Sequence, residues 1–259
     1  MTTTVGIWAH PDDEVFASGG LLAEAARRGE RVVCIYLTNG EAGLSYGQPS
    51  STVALANLRR HELGASLARL GVRERRFFGY PDGCLPQVPG QKVISRIHDA
   101  LVELQPDEIV TFGSDGFTGH PDHKALSGFV RAAMSLWDQP GARLNEVVMS
   151  TEWKGAFGPA LNEFDAFWPG HPTAFDDPDI SLRLDDEILD AKVEALRAHA
   201  SQMKHLFDAY GDNFMRALAS REHYRVSQVD ERAGALSSLT NSNAVVAASW
   251  DRSASMSTV

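Results

Sequence analysis

The chain has 259 residues, of which 43% are hydrophobic and 22% charged, a composition typical of a globular protein with a sizeable core. Its 34 acidic residues outnumber 24 Lys and Arg, and the net charge of -10 argues against a nucleic-acid partner. Its apolar runs are shorter than the ~18 residues of a membrane span, and no signal-peptide pattern precedes them, so we expect a cytoplasmic protein.

Strand and helix patterns alternate along most of the chain. Short apolar or β-branched runs predict strands at residues 4–9, 31–38, 75–80, 107–113 and 145–151. Apolar residues at helical spacing predict helices at 15–28, 53–71, 91–104, from 123 to Trp137, and at about 185–207. This alternation predicts an α/β fold in which a parallel sheet carries helices on both faces.

Some segments interrupt the alternation. Gly, Ser and Pro predict a loop at 39–51 and a long turn at 81–90. Residues 152–178 have no regular spacing of apolar residues, which predicts irregular structure there. HYRVSQ, near the end of the patterned region, is a candidate late strand. We expect a single domain over 1–229, followed at 230–259 by a mobile tail that is too poor in large apolar residues to bury much surface.

Ionisable side chains crowd two of the loops, where the similar motifs HPDD and HPDH occur. The first cluster, residues 10–14, follows the first predicted strand, and the second, residues 115–123, follows the fourth. Ligands of open parallel sheets bind beyond the carboxyl ends of the strands, so we expect the two clusters to meet. In the first cluster, Asp12, Asp13 and Glu14 place three carboxylates beside the imidazole of His10. Like charges this close repel one another, and this crowding predicts a bound cation.

Zinc chemistry fits these residue types. A catalytic zinc has three His or carboxylate ligands and keeps one position for a water, whose pKa it lowers to about 7. His10, Asp12, Asp13, His120 and His123 can supply three ligands with residues to spare, and spacing leaves open which Asp and which later His bind. Each motif alone is also compatible with a helix N-terminus, where Pro and Asp are favourable. Two such motifs at equivalent strand ends favour the metal site.

AHPDDE with a later GHPDH resembles the LmbE/PIG-L family of zinc-dependent N-acetylglucosaminyl deacetylases. The likeness covers about residues 4–205 and includes TNGEAG (38–43), R-x-x-E at 59–62 followed by LGV, YPDG (80–83) and KVEALRAHASQ (192–202). It implies a Rossmann-like α/β fold and one zinc ion per chain, with another divalent metal left open.

The resemblance also implies roles for individual residues. The metal ligands would be His10, Asp13 and His123. Asp12 would be the general base that takes a proton from the metal-activated water, and a protonated His120 would stabilise the oxyanion. Arg59 and Asp82 would contact the substrate.

The implied reaction is removal of the acetyl group from an N-acetylglucosamine-type sugar or sugar conjugate, a small-molecule substrate. The alternatives are a metal-dependent hydrolase of another amide or of a phosphoester, and a metal-binding module without catalysis. A dinucleotide enzyme is disfavoured because no G-x-G-x-x-G follows the first strand. The oligomeric state is left open, and a homo-oligomer is compatible with the sequence.

Overall fold

The computed structural model describes residues 1–43, 51–137, 139, 141–168 and 173–228. Within these residues the strands are β1 (Thr3–Trp8), β2 (Arg31–Tyr36), β3 (Glu74–Phe77), β4 (Glu108–Phe112), β5 (Arg143–Val147), β6 (Met149–Ser150), β7 (Ala174–Phe175), β8 (Ile180–Arg183) and β9 (Arg221–Gln228). The helices are α1 (Asp13–Arg27), α2 (Thr52–Arg69), α3 (Gly90–Leu104), α4 (Pro121–Trp137), α5 (Thr151–Asn162), α6 (Asp186–Ala198) and α7 (Ala200–Ala219), with a short 3-10 helix at Leu85–Gln87.

Seven strands form the main sheet, in the order β3-β2-β1-β4-β5-β9-β8. The first five are parallel, and β9 and β8 add an antiparallel edge. The crossovers from β1 to β2 and from β4 to β5 run in opposite directions across the sheet. Because such crossovers are right-handed, α1 and α4 cover opposite faces. The predicted α/β class, with a mostly parallel sheet between helices, is confirmed.

The central strands are buried on both faces, which explains their almost unbroken apolar sequences. All six residues of β1 are buried, and so are five of the six in β2. The strand order reverses beside β1, whose neighbours are β2 and β4. A crevice forms at such a switch point, and both ionisable clusters follow its two strands.

The structure corrects the prediction for the last third of the chain. Residues 152–178 are not wholly irregular, because α5 begins at Thr151 and the short strand β7 follows later. The single helix expected at 185–207 is two helices, which meet at His199. The late strand is confirmed as β9, and β8 was not predicted.

Parts of the sequence predictions lie outside the described residues: the loop at 44–50, positions 169–172 and the tail at 230–259. Among the helices that the structure describes, none has both the length and the apolar character needed to cross a membrane.

Candidate functional site

A cavity of about 760 Å³ lies at the carboxyl ends of β1 and β4. All seven site residues named from the sequence line it: His10, Asp12, Asp13, Arg59, Asp82, His120 and His123. His10 and Asp12 come from the turn between β1 and α1, Asp13 is the first residue of α1, His120 lies in the loop before α4, and His123 lies in the first turn of α4. The topology therefore brings together residues that are more than a hundred positions apart in the chain.

Three potential ligand groups converge in this cavity. Nε2 of His123 lies 3.2 Å from Nδ1 of His10 and 3.2 Å from Oδ1 of Asp13. Oδ2 of Asp13 is 3.4 Å from the same His10 nitrogen. Tetrahedral ligands about 2.1 Å from a zinc ion would be separated by about 3.4 Å. The spacing of the groups therefore fits a single small divalent cation.

Two further combinations of side chains are close enough to share an ion. One joins His10 and His123 to His120, and the other joins His10 to Asp82 and Asp122; in each, the potential ligand atoms lie within 4.8 Å of one another. His10 belongs to both groups, so it is the centre of the cluster.

The ring of His10 is fixed by carboxylates on its far side. Nε2 of His10 lies 3.0 Å from Oδ1 of Asp82 and 3.3 Å from Oδ2 of Asp122. Two acceptors on Nε2 favour the tautomer that carries its proton there, which leaves the Nδ1 lone pair facing Asp13 and His123. Asp122 is itself held in place, because it is fully buried and accepts hydrogen bonds from the backbone N–H groups of Gly83 and Leu85.

His123 is oriented in a similar way. Its Nδ1 lies 3.0 Å from the carbonyl oxygen of Gly116, and donation to that oxygen leaves Nε2 as the lone pair that faces His10. The ring of Phe112 stacks on the imidazole, with 3.9 Å between centroids and 5° between planes. Although burial raises the pKa of Asp13, the neighbouring His123 and His10 lower it well below its usual range. Asp13 is therefore a carboxylate, the form that binds a cation.

The carboxylate of Asp12 faces the same cavity, but it pairs with a cationic side chain of the protein itself. Its Oδ2 accepts a hydrogen bond of 3.0 Å from Nη2 of Arg59. Burial raises the pKa of Asp12 to about 6, even though the charge of Arg59 opposes the shift. A carboxylate whose pKa is close to neutral pH suits proton transfer in both directions.

The backbone of Asp12 is also unusual. Its φ of 101° lies in the left-handed region, which is costly for a residue with a Cβ atom. The N–H of Asp12 donates to Oε2 of Glu14 at 3.0 Å, and its carbonyl accepts from the N–H of Phe16 at 3.1 Å. These bonds hold Asp12 in its strained conformation at the start of α1.

Arg59 and Asp82, the predicted substrate contacts, are engaged with the protein itself. Arg59 is 3% exposed and donates to the carbonyl oxygens of Gly40 and Pro11, at 2.8 and 2.6 Å, besides Asp12. Asp82 accepts a hydrogen bond from the N–H of Ala42 and contacts His10. Burial raises the pKa of Asp82, but its hydrogen bonds to His10 and Ala42 and the charges of His10 and Arg59 together outweigh this and lower the pKa to about 2. Substrate binding by either residue stays a prediction.

His120 lies beside His10 and His123 in the cavity, with 4.9 Å between its ring centroid and each of theirs. Its Nδ1 accepts a hydrogen bond from the N–H of Asp122 at 3.1 Å, so the proton of the neutral ring lies on Nε2. Burial, together with the charges of the nearby His10 and His123, lowers the pKa of His120 to about 4. The imidazole is therefore neutral near pH 7, which differs from the protonated ring implied by the resemblance. A neutral ring still offers one N–H donor.

Two buried groups beside the site were given no chemical role by the sequence reasoning. Asp122 orients His10, and Glu14 holds the backbone of Asp12. Both stand inside the two motifs, next to the predicted ligands. Their position was a signal, but the contacts depend on the folded arrangement of the loops.

Comparison with known proteins identifies the family. Residues 5–134 match PIG-L, which is described as GlcNAc-PI de-N-acetylase. A protein of Corynebacterium diphtheriae is 34% identical over 223 residues, which cover 77% of this chain and 75% of that protein. The chain belongs to the PIG-L family. The resemblance found in the sequence is thereby confirmed.

Two PIG-L relatives of this chain share one name. The protein from Corynebacterium diphtheriae is a 1D-myo-inositol 2-acetamido-2-deoxy-alpha-D-glucopyranoside deacetylase. A protein with the same name from Mycobacterium sp. (strain KMS) is 30% identical, over 84% of this chain and 81% of that protein.

Solved structures share the fold of this PIG-L chain at lower identity. The N,N'-diacetylchitobiose deacetylase of Pyrococcus horikoshii has a TM-score of 0.64 at 20% identity, over 87% of this chain and 84% of its own. A deacetylase of the teicoplanin biosynthetic pathway has a TM-score of 0.65 at 21% identity, over 89% and 100%. GalB, a 4-carboxy-2-hydroxymuconate hydratase from Pseudomonas putida, reaches 0.60 at 16% identity, over 87% and 96%. The fold therefore carries more than one chemistry, and function must be argued from the site.

Proposed function

We propose that this protein is a metal-dependent hydrolase that removes the acetyl group from an N-acetylglucosamine-type sugar conjugate, with zinc as the metal. One observation carries the proposal: the carboxylate of Asp12 faces the cavity in which His10, Asp13 and His123 converge, and it remains outside their contacts. The relatives from Corynebacterium and Mycobacterium are deacetylases of such a conjugate, and they support the substrate class.

The residues present fit a zinc ion. Two imidazoles and one carboxylate are ligands of catalytic zinc, and their separations of 3.2–3.4 Å match its tetrahedral geometry. When bound, the metal would lower the pKa of a water molecule and polarise the acetyl carbonyl. His10 and His123 each have the other ring nitrogen fixed by an acceptor, which is the usual arrangement around metal-binding histidines.

Asp12 has the properties of the proton carrier. It accepts the proton of the water that attacks the acetyl carbon, and it then donates that proton to the departing amine nitrogen. Arg59 holds the carboxylate at 3.0 Å, and the hydrogen bond to Glu14 holds the backbone. Acetate and a free amino sugar are the products.

His120 is suited to stabilise the oxygen that becomes negative during the attack. Its Nδ1 is occupied by the N–H of Asp122, so Nε2–H is the donor left for the substrate. Removal of one such donor typically costs about 3–4 kcal/mol of transition-state stabilisation. The neutral ring performs this role as a hydrogen-bond donor and needs no positive charge.

A phosphoester substrate is less compatible with the cavity. Phosphate recognition usually employs several Lys or Arg side chains. Of the described residues that line the cavity, only Arg59 has a guanidinium or ammonium group, and it already donates to Asp12, Gly40 and Pro11. The acidic site therefore favours an uncharged amide.

The test compares the purified protein with its Asp12→Asn variant. The unmodified protein should contain about one zinc per chain and release acetate from methyl N-acetylglucosaminide, while p-nitrophenyl phosphate stays intact. Asp12→Asn should keep the metal and lose about 10²–10⁴-fold in kcat, because the proton carrier is gone.

Asp99→Asn is the matched control, since this carboxylate is exposed on α3, lies 3.5 Å from Nδ1 of His98 and does not line the cavity. Its kcat and metal content should equal those of the unmodified protein. A normal rate in Asp12→Asn would rule out Asp12 as the base, and phosphatase activity without acetate release would overturn the proposed reaction.

A further inference from the structure

The lining of the cavity combines polar and apolar side chains. His10, Arg59 and Asp82 are among the polar ones. The end of α5, the segment after it and the first turns of α7 contribute Asp165, Gln202 and His205 together with large apolar residues, which are Leu161, Phe164, Phe167, Trp168, Met203 and Leu206. Three of these, Phe164, Phe167 and Trp168, are here called the aromatic ledge.

The aromatic ledge is not simply part of the core. Leu161, Met203 and Leu206 behind it are buried, but Phe164 and Phe167 are only partly buried, and Trp168 is 44% exposed. Large apolar side chains rarely gather at a surface without a partner, and such patches commonly mark binding sites. This one borders the residues proposed to perform catalysis.

The aromatic ledge is held in position by the protein. The N–H of Trp168 donates to the carbonyl of Thr118 at 3.0 Å, and the indole lies edge-on to His120, with 4.7 Å between ring centroids. The N–H groups of Phe164 and Ala166 both donate to the carbonyl of Leu161. A substrate group that reaches His120 is thus beside an aromatic surface that is already ordered.

We propose that the aromatic ledge binds an apolar aglycone, so that the preferred substrates are N-acetylglucosaminides whose sugar carries a hydrocarbon or aromatic substituent at its anomeric carbon. This inference rests on the proposed function, which fixes the group to be removed as acetyl. The aglycone is then the part of the substrate that remains to be accommodated. A cavity of about 760 Å³ is in the range of pockets for ligands larger than one sugar.

The proposed substrate preference differs from the substrate in the relatives' name, which is a glycoside of myo-inositol. The hydroxyl groups of an inositol would have to give up water against Phe164, Phe167 and Trp168, whose only polar side-chain group is the indole N–H, so any new hydrogen bonds would have to come from the neighbouring Asp165, Gln202 and His205. A hydrocarbon ring of the same size loses no hydrogen bonds there and removes apolar surface from water.

The test uses two glycosides of N-acetylglucosamine that differ only in the hydroxyl groups of the aglycone: the cyclohexyl glycoside and the myo-inositol glycoside. The methyl glycoside serves as reference, and acetate release is measured for both anomers. We expect kcat/KM for the cyclohexyl compound to exceed that for the inositol compound at least tenfold, in line with the selectivity of apolar pockets.

Variants then ask whether the aromatic ledge causes the preference. Trp168→Ala and Phe164→Ala should each reduce the ratio of the two kcat/KM values several-fold. Leu136→Ala is the matched control, because Leu136 is 53% exposed on α4 and does not line the cavity. Its ratio should equal that of the unmodified protein.

Failure of this inference can be distinguished from failure of the proposed function. Equal rates for the two glycosides, or a preference for inositol, would overturn the apolar aglycone while leaving deacetylation intact. Absence of acetate from every glycoside would count against the proposed function itself. If the methyl glycoside bearing a longer N-acyl chain reacts faster than its N-acetyl parent, and Trp168→Ala removes this gain, the aromatic ledge binds the acyl group and the proposal is wrong.

Discussion

Glu14 and His199 meet inside the protein, with 3.4 Å between Oε1 of the carboxylate and Nε2 of the imidazole and neither side chain exposed. The other carboxylate oxygen of Glu14 accepts the hydrogen bond of the Asp12 backbone. His199 lies where α6 ends and α7 begins. One carboxylate thus connects the strained backbone of the proposed base to the junction of two helices on the other side of α1.

Glu14→Ala should therefore weaken both stability and catalysis. It removes the carboxylate that lies against the buried His199 imidazole and leaves the N–H of Asp12 without its acceptor, and an unsatisfied buried donor costs about 1–3 kcal/mol. Urea unfolding should show that loss, and kcat should fall more than KM changes, because Asp12 is no longer held. The control is Glu194→Ala, an exposed carboxylate on α6, which should change the free energy of unfolding by less than about 1 kcal/mol. Equal effects of the two substitutions would contradict the role of Glu14.

Asp122→Asn should weaken metal binding without abolishing the fold. Asp122 contacts Nε2 of His10 at 3.3 Å, and loss of the charge removes one of the two carboxylates that favour the metal-binding tautomer. Groups that support metal ligands in this way are typically worth about 10–100-fold in affinity. Competition with a zinc chelator measures the change, and Asp99→Asn provides the exposed control. An unchanged affinity would show that Asp82 alone orients His10.

The sequence was sufficient to predict the parallel part of the sheet and the meeting of the two ionisable clusters for a physical reason. β1 and β4 are buried on both faces, so their sequences are nearly uninterrupted apolar runs that end abruptly in polar residues. Since parallel strands end at the same edge, His10 and His123 could be expected to meet. Their predicted proximity is what the structure shows, at 3.2 Å.

Other features were missed because local sequence does not determine them. Helix α5 contains Pro159 and several aromatic residues, which obscure its period, although Ser150 caps it by accepting the N–H of Trp153. The break between α6 and α7 occurs at His199, within AHASQ, where no Gly or Pro marks it. The contacts of Glu14 and Asp122 arise from loops that come together only in the folded chain.

A second buried pair predicts a different kind of instability, away from the site. Nζ of Lys192 lies 2.7 Å from Oε1 of Glu222, and both side chains are almost fully buried. Glu222 also accepts hydrogen bonds from the backbone of Gly20 and Leu21 and from the hydroxyl of Tyr224. Lys192→Met should cost about 3–5 kcal/mol, because it leaves a buried carboxylate without its cation.

The double variant Lys192→Met with Glu222→Gln should recover part of that loss, since no uncompensated charge remains. Lys204→Met is the control, because the ion pair of Lys204 with Asp208 is exposed. It should change the free energy of unfolding by less than about 1 kcal/mol. Urea unfolding of the unmodified protein, of the single variants Lys192→Met and Glu222→Gln and of the double variant gives the coupling between Lys192 and Glu222, and additive single effects would contradict the pair.

The two cysteines should differ sharply in reactivity. Both are free, but Cys34 is buried in β2 whereas Cys84 is exposed before the 3-10 helix. Burial, with a contribution from Glu14, raises the pKa of the Cys34 thiol, and only the thiolate attacks a disulfide reagent. Titration with such a reagent near pH 8 should detect one thiol per folded chain and two in denaturant. Cys84→Ser should abolish the reaction of the folded protein, and Cys34→Ala should leave it intact. Rapid labelling of Cys34 in the folded Cys84→Ser protein would contradict this prediction, because it would show that the interior around Cys34 opens readily to solvent.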